Sequence, residues 1–256
     1  MSEEYFKHKF VKPNAIEFRE YQLSLSKDAK NQNSLVVLPT GLGKTTVALQ
    51  VIVDYLEQGK GGVLFLAPTR VLVNQHFEFL KENLLLDDIG IITGEDLLSK
   101  RKKLWVNSII CATPEVARND LQRNIVPTEQ FSLVIFDEAH RAVGNYAYTA
   151  IASHFQENVR FLGMTATLPS EKKKAEEIVK SLRIQSILQK TDESHDVKPY
   201  IQETKTEWVY VDLPLEMKAI QTCLRLALDE RYTQMQKNGL QLTKNNKSLS
   251  ALLRIR

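Results

Sequence analysis

Between about Arg19 and Leu188, short uninterrupted apolar runs alternate with longer stretches of mixed apolar and polar positions. Seven runs are expected as strands: residues 34–38, 63–67, 89–93, 108–112, 133–136, 160–164 and 184–188. Most are apolar throughout rather than alternating, as strands covered on both faces of a parallel sheet are. The stretches between them read as helices. In the third of these, Val71, Phe77 and Leu80 are assigned to one face. Pro114 suits the first turn of a further helix beginning after Thr113, because that turn needs no N–H from it and its fixed φ is already helical. This β-α-β rhythm predicts an α/β fold, a mostly parallel doubly wound sheet with ligands at the carboxyl ends of its strands.

The pattern changes near Thr191. Residues 191–199 are polar, carry Pro199 and read as a linker, and residues 203–212 alternate loosely, as an edge strand does. A long helix is expected from Leu215 to about Lys237, then a polar turn through Asn238, Gly239, Lys244, Asn245, Asn246 and Lys247. A new helix is expected to include Ile255 and Arg256. The predicted organisation is thus an α/β domain over residues 1–190, a linker and edge strand over 191–213, and the start of a helical segment over 214–256.

Composition changes this picture little. A chain of 256 residues, 43% hydrophobic and 25% charged, has the balance of an ordinary soluble globular protein. A net charge of +3 admits a nucleic-acid partner without demanding one. Cys111 and Cys223 lie far apart with no metal-ligand spacing, which argues against a disulfide scaffold or zinc site and suits a reducing compartment. The N-terminal segment is charged rather than apolar, and no run approaches the ~18 apolar residues of a membrane span, so neither a signal peptide nor a membrane partner is expected. His8, His76, His154 and His195 show no ligand spacing and receive no role. Trp105 and Trp208 are expected in the core. The runs 100–103 and 172–174 read as solvated helix faces.

Three stretches carry chemistry. Pro39, Thr40, Gly41, Leu42, Gly43, Lys44, Thr45 and Thr46 directly follow the first strand. Glycines let backbone N–H groups approach a phosphate, a lysine can reach the β- and γ-phosphates of a nucleotide, and a threonine hydroxyl can ligate Mg²⁺. Leu38 stands where the strict pattern has a further glycine. Asp137 and Glu138 follow the run 133–136, which would deliver one carboxylate to the metal and a second to the attacking water. Thr165 and Thr167 follow the run 160–164 and can hydrogen-bond to His140. Alone, each stretch has a plainer reading: a glycine turn, a solvated acidic turn, a hydroxyl turn. Their order along one sheet is what makes them a site.

That ordered set resembles motifs I (Walker A), II (here Asp137, Glu138, Ala139, His140, a DEAH box) and III of the superfamily 2 helicases. The likeness extends to Ala67, Pro68, Thr69, Arg70 and Gln75, to Thr93, Gly94 and Glu95, and to Thr113, Pro114 and Glu115. More narrowly, residues 38–45 and 136–148 resemble the Hef/FANCM-type helicases of archaeal and eukaryotic fork repair. The resemblance implies a RecA-like P-loop domain that uses ATP and Mg²⁺, with Lys44, Asp137, Glu138 and His140 catalytic and Thr45 and Asp137 on the metal. It implies that Gln22 reads adenine with Arg19 beside the base, that Thr165 and Thr167 couple the sites, and that Thr69, Arg70, Thr93, Gly94, Thr113 and Pro114 grip a nucleic-acid backbone. It further implies a second RecA-like domain in a longer parent protein, branched or forked DNA as partner, and a helical insert beginning near residue 214. The cations Arg231, Lys237, Lys244, Lys247, Arg254 and Arg256, with no acidic residue among them, would lie in that insert. The expected activity is ATP-dependent DNA translocation, weak in this chain alone, in the cytoplasm of a prokaryote or the nucleus of a eukaryote. A double-stranded RNA translocase of the Dicer/RIG-I kind and a non-hydrolysing ATP-gated clamp are the alternatives.

Overall fold

The structure is a computed structural model and describes residues 4–201 and 207–238. It divides into two compact units, Met1–Gln202 and Glu203–Arg256. The first unit holds seven strands: β1 (Ser34–Val37), β2 (Gly62–Leu66), β3 (Ile89–Ile92), β4 (Ile109–Ala112), β5 (Phe131–Phe136), β6 (Arg160–Thr165) and β7 (Ser186–Gln189). They form one sheet in the order β3-β4-β2-β5-β6-β1-β7, and every pairing is parallel. Helices α1 (Glu20–Ala29), α2 (Lys44–Glu57), α3 (Arg70–Asn83), α4 (Leu98–Leu104), α5 (Pro114–Gln122), α6 (Ala147–His154) and α7 (Lys172–Ser181) flank it.

Both faces of the sheet are dry, which explains the unbroken apolar runs. Val36, Phe65, Cys111 and Ile135 belong to the core on one side. Their immediate neighbours Leu35, Leu66, Ala112 and Phe136 belong to the core on the other. Successive strand side chains point to opposite faces, so a strand covered twice has no position to spare for a polar residue. The edge strand β7 departs from this. Its residues alternate between half-buried and exposed, and it begins two residues later than expected, at Ser186 opposite Ser34, because the Ile184 N–H donates to Val179 O in α7.

Several expectations need correcting. Val71 is 76% exposed and does not share the core face of α3, which carries Val73, His76 and Leu80 at helical spacing. Arg101, in a run expected to be solvated, is pinned to Asp120, with Nε to Oδ2 at 2.8 Å and Nη2 to Oδ1 at 2.9 Å. Trp105 is buried as expected and donates from Nε1 to the same carboxylate at 3.0 Å. The stretch 191–201 packs onto the first unit: Val197 is fully buried and Tyr200 lies against Tyr21.

In the second unit, α8 runs Leu215–Lys237 and buries no residue. Residues 207–212 form no strand, and Trp208 is 80% exposed rather than in a core. The remainder of the expected edge strand (203–206), the polar turn from Gly239 and the helix at Ile255 and Arg256 lie outside the described residues, as do Lys244, Lys247 and Arg254.

Candidate functional site

The strand order sorts the candidate residues along the carboxyl edge of the sheet. Those expected to handle nucleotide follow β1, β5 and β6, which are contiguous with one another. Those expected to touch nucleic acid follow β2, β3 and β4, contiguous on the other side. Chain order does not give this separation, since β1 opens the sequence yet lies between β6 and β7.

After β1, the chain turns through Gly41 (φ +86°) and Gly43 (φ +81°), left-handed conformations that side chains rarely adopt. A Cβ at Gly43 would also displace the side-chain amide of Gln22. Gly43 is the N-cap of α2, and no side chain caps that helix. Its first-turn N–H groups and positive dipole end are therefore suited to an anion. Leu38 is fully buried, so its position belongs to the core rather than to the phosphate loop. Its carbonyl accepts a 3.0 Å hydrogen bond from Lys44 Nζ. Burial lowers the Lys44 pKa below its ordinary value, and the nearby negative charges of Glu138 and Asp137 work against that shift. A half-desolvated ammonium beside two carboxylates is well placed to bind phosphate.

Asp137 follows β5 and is 5% exposed. Its N–H donates to Leu66 O at 2.9 Å, and its carbonyl accepts from Tyr148 Oη at 2.7 Å. Glu138 adopts φ 51°, a left-handed conformation costing a non-glycine residue about 1–3 kcal/mol, which survives only where the surroundings impose it. Its Oε2 lies 3.2 Å from His140 Nδ1. Thr165 Oγ1 donates to Thr167 O at 2.9 Å, so it must accept at 3.1 Å from His140 Nδ1–H. The chain Glu138–His140–Thr165–Thr167 thus ties the end of β5 to the end of β6. The oxygens of Thr45 and Asp137 are hard donors of the kind that hold Mg²⁺, and the uncapped helix and Lys44 suit the phosphates the metal would bridge.

Gln22 is buried beneath the phosphate loop, and its Nε2 donates to Leu42 O at 3.0 Å. Its Oε1 is buried with no hydrogen-bond partner among the described residues, which fits an acceptor held for a ligand's amino group. The Arg19 guanidinium sits 5.0 Å from the Tyr200 ring centroid and donates to Tyr21 and Glu17.

On the other half of the edge, Thr69 caps α3, accepting from Leu72 N at 3.3 Å. Thr113 precedes Pro114 at the start of α5 without a side-chain cap. Arg70 is exposed and ion-paired with Glu95. Thr93 donates from both N (2.8 Å) and Oγ1 (3.2 Å) to Asp96 Oδ2. Burial raises the Asp96 pKa, but hydrogen bonds from Lys100 and Thr93 outweigh it and hold the carboxyl below its ordinary value. A Cβ on Gly94 would meet only Val116, at 3.8 Å, so packing does not require glycine there.

Three residues that sequence reasoning gave no role belong to this edge: Asp96, Tyr148 and His76. Asp96 carries no motif signal. Tyr148 lies inside the stretch that resembles known helicases, but its use appears only through its contact with Asp137. His76 had a legible signal: it is a polar residue at the core-facing spacing of Val73 and Leu80. Among the described residues, no helix is long and apolar enough to cross a membrane.

Comparison with known proteins gives the family. The family model described as DEAD/DEAH box helicase matches residues 19–175. A protein of Methanocaldococcus jannaschii, provisionally named an ATP-dependent RNA helicase, is 38% identical over 239 residues, covering 92% of this chain and 31% of its own. The ATP-dependent DNA helicase MPH1 of Saccharomyces cerevisiae is 36% identical over 86% of this chain and 23% of its own. The chain therefore spans about a third or less of these curated relatives. Among solved structures, the Pyrococcus furiosus Hef helicase domain is similar, with a TM-score of 0.73 and 36% identity over 96% of this chain and 54% of that one.

Proposed function

The chain belongs to the DEAD/DEAH box helicase family, with a RecA-like fold, and from that premise we propose that it is the ATP-binding part of a motor that moves along branched or forked DNA. The observation that carries this reading is the strand order, which gathers the candidate phosphate and metal residues after β5, β6 and β1 and the candidate backbone-gripping residues after β3, β4 and β2 along one sheet edge. Lys44 and the open end of α2 bind the phosphates of ATP. Thr45 and Asp137 hold Mg²⁺, which when bound neutralises charge on those phosphates. Glu138 orients and deprotonates the attacking water, and His140, tethered to Thr165, carries the state of the site to β6. Gln22 accepts from adenine through Oε1. Thr69, Arg70, Thr93, Gly94, Thr113 and Pro114 grip the phosphates of one strand, contacts that position without reading sequence.

Full turnover needs a cation from a second RecA-like domain, since an arginine supplied across the cleft contributes about 10³–10⁵ in rate. Residues 1–256 alone should therefore bind ATP and hydrolyse it slowly. An RNA track is favoured by the name of the Methanocaldococcus jannaschii relative, an RNA helicase. The phosphate-gripping residues do not separate the two tracks. A non-hydrolysing clamp is opposed by Lys44, Asp137 and Glu138 standing together, because a clamp has no need of a water-orienting glutamate. Phosphate release by the longer protein, stimulated in parallel with forked DNA and with double-stranded RNA, tests the proposal. Stronger stimulation by DNA is expected. Stronger stimulation by RNA would reverse the choice of track, and no stimulated release by either would leave the clamp.

A further inference from the structure

We infer that His76 is a positioning residue for the metal site: through its hydrogen bond it fixes the carboxylate of Asp137 in the orientation that leaves one oxygen for the cation. The inference rests on the reading of Asp137 as the magnesium carboxylate.

His76 lies on α3, one strand over from Asp137, and is 5% exposed. Its Nε2 is 2.8 Å from Asp137 Oδ2. An ionised carboxylate can only accept, so Nε2 carries the proton and donates. Position 76 falls between Val73 and Leu80 on the face that α3 turns to the core, where leucine would pack without polar cost. A histidine there carries a penalty. Its Nδ1 is buried with no hydrogen-bond partner among the described residues, and an unpaired buried polar atom has lost its water without replacement. What the imidazole gains in return is the bond to Asp137. Histidine at this position is thus explained by the carboxylate and not by packing.

The surroundings turn that bond into a constraint. The ring of Phe65 on β2 packs against the imidazole with centroids 4.5 Å apart, setting its plane. The Asp137 backbone is already held at both ends: N–H donates to Leu66 O, and the carbonyl accepts from Tyr148 Oη. The freedom left to Asp137 is rotation of its side chain, and the bond to His76 removes it by engaging Oδ2. Oδ1 is then the oxygen available to a cation. Partners that orient a metal-binding group in this way typically affect metal affinity by about 10–100-fold. The location adds a consequence. α3 starts at Arg70, in the nucleic-acid half of the edge, so His76 spans the seam between β2 and β5 that separates the two halves. A shift of α3 acts directly on the carboxylate.

The test titrates Mn²⁺ into the 256-residue chain with a non-hydrolysable ATP analogue, following free Mn²⁺ by electron paramagnetic resonance. Metal-free nucleotide affinity and thermal unfolding are measured alongside. His76→Leu should weaken Mn²⁺ binding about tenfold while metal-free nucleotide affinity stays unchanged. His76→Gln, whose Nε2 can reach Asp137, should return it to within about threefold of the unaltered chain. His76→Asn, too short to reach, should behave as leucine does, and it replaces leucine in the comparison if that variant does not fold. Asp137→Asn tests the underlying reading: an unchanged Mn²⁺ affinity there would remove Asp137 from the metal. If Asp137→Asn loses affinity while the leucine and asparagine variants keep it, the inference about His76 alone is overturned. A glutamine variant no better than asparagine would overturn it as well, because volume rather than the hydrogen bond would then be the contribution of His76.

Discussion

The two halves of the sheet's carboxyl edge are built on opposite plans. After β1, β5 and β6, the side chains of Lys44, Asp137, Glu138 and His140 are buried or half-buried, and hydrogen bonds to backbone or to neighbouring side chains hold the elements that carry them. Lys44 bonds to Leu38 O, Asp137 to Leu66 O and Tyr148, and His140 to Thr165. After β2, β3 and β4, Thr113 and Pro114 are buried, but Arg70 is exposed and paired with Glu95, and the half-buried Thr93 is held by Asp96. Phosphoryl transfer has little covalent work for a protein to do, so fixed geometry and preset charge are what it must supply. A backbone grip has a different task. It must exchange partners as the strand moves, and exposed groups with removable carboxylate partners suit that. On the proposed function, chemistry and transport share one edge but differ in how the side chains that serve them are held.

The largest expected effect falls on the nucleotide half. Glu138→Gln in the longer protein should lower phosphate release by about 10²–10⁴-fold, the usual range for a general base, with Mg·ATP affinity unchanged. Near-normal turnover would take Glu138 out of the chemistry.

Next comes a change in the frame beneath the nucleic-acid half. Asp120→Ala strips a fully buried carboxylate from Arg101 and Trp105. Breaking such a pair costs about 3–5 kcal/mol of stability, measurable by denaturant unfolding. Burial raises the Asp120 pKa, but the hydrogen bonds from Arg101 and Trp105 more than offset it, so the carboxyl ends below its ordinary value. A depressed carboxyl contributes stability above its unfolded pKa. That contribution should persist down to about pH 4 and disappear as the pH falls further. In the alanine variant the acid-dependent loss should shrink.

Arg70→Gln should reduce nucleic-acid affinity and flatten its salt dependence by about 0.7–0.9 in log–log slope, the share of one phosphate contact. Nucleotide affinity should not move. If both affinities fell together, the two halves would not be separable. The smallest effect is expected from Thr165→Val, which removes the acceptor for His140. One hydrogen bond is worth about 0.5–1.5 kcal/mol, so nucleic-acid-stimulated turnover should fall a few-fold with ATP affinity intact.

Much of this edge was legible in the sequence for a physical reason. Strands buried on both faces must be apolar throughout, and a phosphate loop needs Gly41 and Gly43 at left-handed φ. The strand order was not legible. It depends on which faces pair in space, and β1 sits between two strands that follow it by more than a hundred residues. Helix faces follow the 3.6-residue period rather than apolarity alone: Val71 is apolar yet exposed, and Val73, His76 and Leu80 mark the core face of α3. His76 is given no role by the sequence because its partner Asp137 lies 61 residues away, and Asp96 because no motif includes it although it stands beside Thr93. Trp208 was expected in a core because indoles are large, yet residues 207–214 offer it none.

The central claim is that the groups needed to hold Mg·ATP are assembled within these 256 residues. Isothermal titration calorimetry of the chain with a non-hydrolysable Mg·ATP analogue tests this most directly. One saturable site is expected, weakened by about 1.5–3 kcal/mol in Lys44→Ala, the worth of a hydrogen bond to a charged group. Heat of binding that is absent from the unaltered chain, or undiminished in Lys44→Ala, would contradict the account.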